Sequence, residues 1–213
     1  MRASIAPLDF LAVLLSDMAI NERRAREQAA RRRLIISAAR GLAETEGWEA
    51  VTTRRLSEEI EYSQPVLYKH FSGMDSIAEA VAIDGFDELA EVLSRARRGR
   101  RGPEATLKRI AHAYLEFAEK NPALYDAMFT RATTLRFADA DTPPELVKGF
   151  AELRQAVTGI AGRQDVDTLA EVLWAALHGL VTLFRGGRLR PEQHAARVDL
   201  LISRFASASA RSG

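Results

Sequence analysis

Apolar residues recur at intervals of three and four along almost the whole chain, and no stretch sustains the alternation of a half-buried strand. The pattern predicts an all-α protein. Its first helix runs from about Arg23 to Glu46, with Leu34, Ile35, Ala38, Ala39, Leu42 and Ala43 as one apolar stripe, and Gly47 ends it. Thr52 and Thr53 are N-cap candidates for a short helix ending near Ile60, because a hydroxyl there satisfies a backbone N–H that the helix leaves unpaired. A tight turn at Glu61 and Tyr62 leads to Ser63, another cap candidate, and to a helix with Pro65 in its first turn that reaches Phe71. After a turn over 72–75, a long amphipathic helix passes through Ile77, Val81, Phe86, Leu89 and Leu93 to about Arg97.

The run RARRGRRGPE, with like charges, two glycines and little to bury, is the best candidate for a break. Beyond it Pro103 opens a helix through Tyr114 and Phe117, and Asn121 with Pro122 caps another through Met128 and Phe129. Thr142, Pro143 and Glu145 form a capping box for a helix to about Ile160. Two more helices follow, Val166 to about Phe184 and Pro191 to about Phe205, before a small polar tail from Ala206. The expected organisation is an N-terminal extension over 1–21, a helix-turn-helix domain over 22–73, a larger helical domain over 74–206 and a flexible tail over 207–213.

Composition narrows the function. The chain of 213 residues has no cysteine, which excludes disulfides, thiolate metal sites and a cysteine nucleophile, and agrees with a cytoplasmic protein. Net charge is only +1, so a nucleic-acid reading must rest on where the charge sits. Between Asn21 and Gly41 seven arginines, Arg31, Arg32 and Arg33 among them, face only two glutamates. A second cluster is Arg95, Arg97, Arg98, Arg100 and Arg101. The apolar patch Phe10–Leu15 is too short to span a bilayer and is interrupted upstream by Pro7 and Asp9, so it reads as an extension, with a start at Met18 left open.

The segment from Arg31 to Val81, RRRLIISAARGLAETEGWEAVTTRRLSEEIEYSQPVLYKHFSGMDSIAEAV, resembles the N-terminal module of the tetracycline-repressor family. The resemblance rests on the basic lead-in, Ala38, Leu42, Gly47, Trp48, Val51, Thr52, Leu56, Ser63, Leu67, Tyr68, His70 and Phe71. It implies a helix-turn-helix of about eight residues, a turn and about seven more. It departs from the family at the turn, where Glu61 and Tyr62 replace Gly and Val, and at Met74, where a phosphate-binding lysine is common. Phosphates accept from hydroxyls, imidazole and ammonium, and base edges take polar or methyl contacts. The DNA-binding candidates are therefore Arg33, Thr52, Thr53, Arg54, Tyr68, Lys69 and His70, with Ser63, Gln64 and Pro65 leading the recognition helix as base readers. As core or solvated positions the same residues would need no DNA, and Leu56, Leu67 and Phe71 are core on either reading.

In the C-terminal half, AYLEFAEKNPALYDAMF and LWAALHGLVTLF resemble the branch of that family with a Trp-His-Gly pattern, here Trp174, His178 and Gly179. Trp174 and His178 are four apart and share a helix face, and Gly179 would admit another helix closely. Tyr114, Phe117, Tyr125, Met128, Phe129, Trp174 and His178 supply more aromatic, polar-tipped surface than a plain bundle needs, so they are candidates for a small, mostly apolar ligand. The default reading of each remains core. Leu169, Leu173, Leu177 and Leu180, with Val198, Leu201, Ile202 and Phe205, have spacings suited to a four-helix dimer interface, which is how the resembled family dimerises.

The expected function is a DNA-binding transcriptional regulator, a repressor by the habit of the family, released from a palindromic operator by a small effector. The expected partners are double-stranded operator DNA, the effector and a second copy of the chain, with no membrane and no cofactor. A ligand would shift the spacing of two recognition helices through the long helix after Asp75. The alternatives are a small all-α enzyme and a helical module that binds proteins. No histidine has a glutamate three residues before it, and HExxH, GxSxG and a phosphate-cradling glycine loop do not occur, so no catalytic or metal residue is named.

Overall fold

The computed structural model describes residues 7–99, 102–131, 135 and 141–210. Among them are nine α-helices, two 3-10 turns and no strand, which confirms the all-α class. The chain divides into two compact units, Met1–Ile77 and Ala78–Gly213.

The first unit contains α1 (Pro7–Glu46), a 3-10 turn, α2 (Thr53–Glu59) and α3 (Gln64–His70). α1 begins sixteen positions before the expected Arg23, so the stretch from Pro7 to Asn21 continues the helix. The first six residues, with the Met1 start, lie outside the described residues. Its buried stripe is Ile35, Ile36, Ala39, Leu42 and Ala43, while Leu34, expected inside, is 44% exposed. A step of 100° per residue puts Leu34 and Ile35 on diverging faces once Ile35, Ala39 and Leu42 point inward. Gly47 leaves the helix at φ +85, where a Cβ is disfavoured.

Thr52 caps α2, its side chain accepting from the Arg55 N–H at 3.2 Å; of the two cap candidates it is the one used. Between α2 and α3, Glu61 has φ +56, the only positive φ outside glycine among the described residues. The replacement of glycine at this turn therefore leaves a side chain in the left-handed region, at a cost of about 1–2 kcal/mol. Ile60, Leu56, Leu67 and Phe71 are buried together with the α1 stripe, and this small core fixes the pair of short helices.

α4 (Met74–Arg97) follows. The second unit continues with α5 (Pro103–Lys120), α6 (Pro122–Phe129), α7 (Pro144–Thr158), α8 (Val166–Arg185) and α9 (His194–Ala210). α5 is the central helix, packed on α6, α7, α8 and α9. Chain breaks fall where proline and glycine predict them, but two caps differ. Asn121 donates its side-chain amide to the Phe117 carbonyl and so closes α5 rather than capping α6. Pro143, not Thr142, occupies the N-cap position of α7, and no side chain caps that helix. α9 runs to Ala210, so 207–210 of the expected tail are helical and 211–213 lie outside the described residues, as do Arg100 and Arg101.

Candidate nucleic-acid interface and ligand cavity

α3 buries one side and offers the other. Leu67 and the flanking Phe71 are buried, whereas Ser63, Gln64, Pro65, Tyr68 and Lys69 are exposed, Tyr68 at 56%. Ser63 sits at the N-cap position without a side-chain cap bond. Thr53, at the first position of α2, is half-buried; Thr52 and Arg54 are exposed, and Arg54 pairs with Glu58 at 3.0 Å on the helix surface. Arg33 is exposed on α1 and His70 is half-buried. The candidate residues from Thr52 to His70 thus lie on two consecutive short helices, with the polar side of α3 open.

Arg32 is placed differently from its neighbours in the arginine run. Its Nη1 donates to the His70 carbonyl at 3.2 Å, and its guanidinium carbon lies 4.2 Å from the centroid of the Phe71 ring. It therefore ties the C-terminal end of α3 to α1, where a cation also suits the helix dipole. Arg55 and Glu46, 2.6 Å apart, tie α2 to the end of α1 in the same manner.

In the second unit the aromatic candidates form a cluster. Phe129 is its hub, with ring centroids 4.6 Å from Tyr125, 5.3 Å from His178, 6.0 Å from Trp174 and 5.2 Å from Phe86. A line of hydrogen bonds crosses it. Trp174 Nε1 donates to the Tyr114 hydroxyl at 3.2 Å, that hydroxyl is 2.9 Å from the Tyr125 hydroxyl, and Tyr125 is 2.7 Å from His178 Nδ1. His178 Nε2 lies 3.5 Å from the Thr182 hydroxyl. Burial, opposed by its hydrogen bonds, pushes the Tyr114 phenol up to about 12; burial first, then Tyr114, raises Tyr125 further. Burial alone lowers His178 below the usual imidazole value, which favours its neutral form.

Beside this line is a cavity walled by Phe86, Leu89 and Leu93 of α4, Leu146, Gly149, Phe150 and Leu153 of α7, and Tyr114, Phe129 and Trp174. Its free volume is about 20 Å³, the room one water needs. Of the seven ligand candidates, Tyr114, Phe129 and Trp174 wall the cavity; Phe117, Tyr125, Met128 and His178 do not. Phe117 and Met128 are buried, and Met128 with Leu124 occupies the space beside Gly85, where an added Cβ would lie 2.8 and 2.7 Å from them. The close helix approach is at Gly85; around Gly179, where it was expected, a Cβ would meet nothing within 4 Å.

The outer faces of α8 and α9 also differ from expectation. Leu173, Leu177, Val198 and Ile202 are buried inside the unit, and Leu169, Leu180, Leu201 and Phe205 are half-buried. The exposed large apolar residues there are Val172, Leu183 and Leu200. Spacings of four follow the face turned to α5 and α7, so periodicity marked the inner seam. α8 is long and apolar enough to cross a membrane, and only 22% of that stretch is buried.

Residues 35–81 match the bacterial regulatory proteins of the tetR family, and residues 107–205 match the tetracyclin repressor-like C-terminal domain. An uncharacterized HTH-type transcriptional regulator of Mycobacterium tuberculosis is 31% identical over 157 residues, covering 71% of this chain and 69% of that protein. The chain belongs to the tetR family. Another M. tuberculosis relative, an HTH-type transcriptional repressor, is 28% identical over 187 residues, 81% of this chain and 91% of its own. YobS of Bacillus subtilis, an uncharacterized HTH-type regulator, is 34% identical over 95 residues, but the match spans only about half of each protein (45% of this chain, 49% of YobS). A solved structure of a protein of unknown function from Rhodococcus sp. RHA1 superposes with a TM-score of 0.68 at 26% identity, over 83% of this chain and 94% of that one.

For a tetR-family chain, two sets of residues escaped the sequence reading. Arg32 read only as one of a basic run, since nothing local shows that it meets a carbonyl 38 positions away. The α4 and α7 walls were legible only as helix stripes; Leu146, Gly149, Phe150 and Leu153 share one helical face, but the sequence does not say what that face meets.

Proposed function

We propose that this tetR-family regulator binds operator DNA as a two-fold dimer and represses transcription until a small, mostly apolar effector enters the cavity of the second unit. The observation that carries the DNA reading is α3: a short helix after a left-handed turn, with Leu67 buried and Ser63, Gln64, Pro65, Tyr68 and Lys69 facing outward. On this reading residues 22–73 are the DNA-binding domain and 74–206 the effector and dimerisation domain. Ser63, Gln64 and Pro65 meet base edges; Arg33, Thr52, Thr53, Arg54, Tyr68 and His70 serve phosphates, and Lys69 reaches either.

Dimerisation is supported by Val172, Leu183 and Leu200, large apolar side chains left exposed on the last two helices. A second copy accounts for them better than a bilayer does, because Leu173, Leu177 and Val181 of α8 are buried in a bundle with α5 and α7. Two recognition helices roughly 34 to 36 Å apart then read successive major grooves of a palindrome. Repression is supported by the repressor relative and by the repressor-like C-terminal match.

The test is a footprint on labelled DNA from upstream of the protein's own gene. Two protected half-sites one helical turn apart, lost in Tyr68→Ala with His70→Ala and weakened steeply by salt, are expected. No protection at moderate salt, or protection unchanged in the double variant, overturns the reading.

A further inference from the structure

We infer that the effector is an uncharged molecule carrying a hydroxyl group, which inserts between Trp174 Nε1 and the Tyr114 hydroxyl. This rests on the cavity being the effector site and names the chemistry that site selects.

Of the described residues that wall the cavity, only Tyr114 and Trp174 carry a side-chain hydrogen-bonding group, and the two are bonded to each other at 3.2 Å. None of the described residues that wall it is charged, so an ionised ligand would lose its hydration with no countercharge from them to replace it. The polarity of the line behind Tyr114 then decides which neutral group fits. An indole N–H only donates, so Tyr114 oxygen accepts from Trp174. Among the described residues the Tyr114 hydroxyl meets only Trp174 and Tyr125, so the arrangement that leaves neither buried hydroxyl hydrogen unpaired has Tyr114 donating to Tyr125 and Tyr125 donating to Nδ1 of His178. The Tyr114 hydrogen is thereby committed inward, and what Tyr114 offers the cavity is an acceptor.

A ligand that takes the Trp174 N–H must therefore return a donor to Tyr114. A hydroxyl does both. A carbonyl accepts from Trp174 but leaves the Tyr114 oxygen without its donor, and a hydrocarbon leaves the existing bond intact and gains only burial. The cavity already has the room of one water, which is what a hydroxyl requires. The body of the ligand needs more. Admitting it requires α7, whose Leu146, Gly149, Phe150 and Leu153 line the cavity from one helix face, to move from α4 against the Arg97–Glu152 and Lys148–Asp87 ion pairs, 2.7 and 2.8 Å long.

The experiment is calorimetric titration of the full-length protein with four probes of one shape: 2-indanol, 2-indanone, indane and indane-2-carboxylate, at pH 7. The alcohol is expected to bind about ten-fold more tightly than indane, with the ketone between them and no measurable binding of the carboxylate. Trp174→Phe and Tyr114→Phe, each checked to be folded by circular dichroism at the titration temperature, should remove the advantage of the alcohol while indane still binds. Carboxylate binding equal to that of the alcohol, an advantage that survives both variants, or failure of all four probes to bind overturns the inference. Binding in the expected order with no release of bound operator DNA upholds the site chemistry and overturns the effector reading alone.

Discussion

α3 and the aromatic cluster both stand out in the sequence for their polar-tipped aromatic residues, yet they hold those tips in opposite ways. On α3 the fold uses Leu67 and Phe71 and leaves Tyr68 56% exposed. In the cluster Tyr114 and Tyr125 are 0% and 1% exposed, and each hydroxyl is already hydrogen-bonded. The difference separates two ways of carrying function. On α3, recognition adds contacts that the fold does not need. In the cluster, any ligand must exchange a bond that the fold already has, so binding and stability are coupled there and are separate in the first unit.

The largest expected effect is on stability in the cluster. Tyr114→Ala removes a fully buried ring together with the junction of the hydrogen-bonded line, and should cost about 3–5 kcal/mol, measured by urea unfolding followed by circular dichroism. That is a large part of the 5–15 kcal/mol that holds a typical domain together. Tyr68→Ala should do the reverse: stability within about 0.5 kcal/mol of the parent, and operator affinity lower by about ten-fold, or about 1.4 kcal/mol, in a mobility-shift titration. If Tyr68→Ala unfolds the protein, or if Tyr114→Ala leaves its stability intact, the contrast between the two regions is wrong.

Arg32 tests the boundary between these cases, because it lies beside the recognition helix but is engaged by the fold. Arg32→Ala should weaken operator binding several-fold by loosening the end of α3, while the dependence of affinity on salt keeps its slope, since no phosphate contact is lost. Arg33→Ala should lower that slope by about one. A reduced slope in Arg32→Ala would place Arg32 on the phosphates instead.

The parts of the fold that the sequence showed are those set by local chemistry. Thr52 as a cap and proline in the first turns of α3, α5 and α6 each follow from one or two residues and their backbone preferences, whereas the left-handed turn at Glu61 was legible only from the glycine that the family has there. What stayed hidden depends on the partner of a face. Leu34 and Ile35 read alike until packing chooses between them, and the Asn121 amide serves the helix behind it rather than the one ahead. The spacing of Leu173 and Leu177 marks a seam without saying whether that seam lies within the chain or between chains. For the same reason Trp174 and His178 were legible as neighbours on one face, but the line of hydroxyls that joins them was not.

The smallest expected effect is the pH response of that line. Burial lowers His178, so the folded chain binds its proton less readily than the unfolded chain does. Between the lowered value and the ordinary imidazole value near 6.5, the unfolded state then holds more protons, and stability rises with pH. The contribution is complete above that window and is lost as the pH falls through it. Thermal melts stepped downward from pH 7 should show a gentle decline that is missing in His178→Asn, which keeps a side-chain acceptor near Tyr125 but does not titrate. The decline should be modest, because His178 is half-buried and solvent screens the shift. An equal decline in both proteins would assign it to other groups and leave His178 as a fixed acceptor, with no part in the response of the cluster to acid.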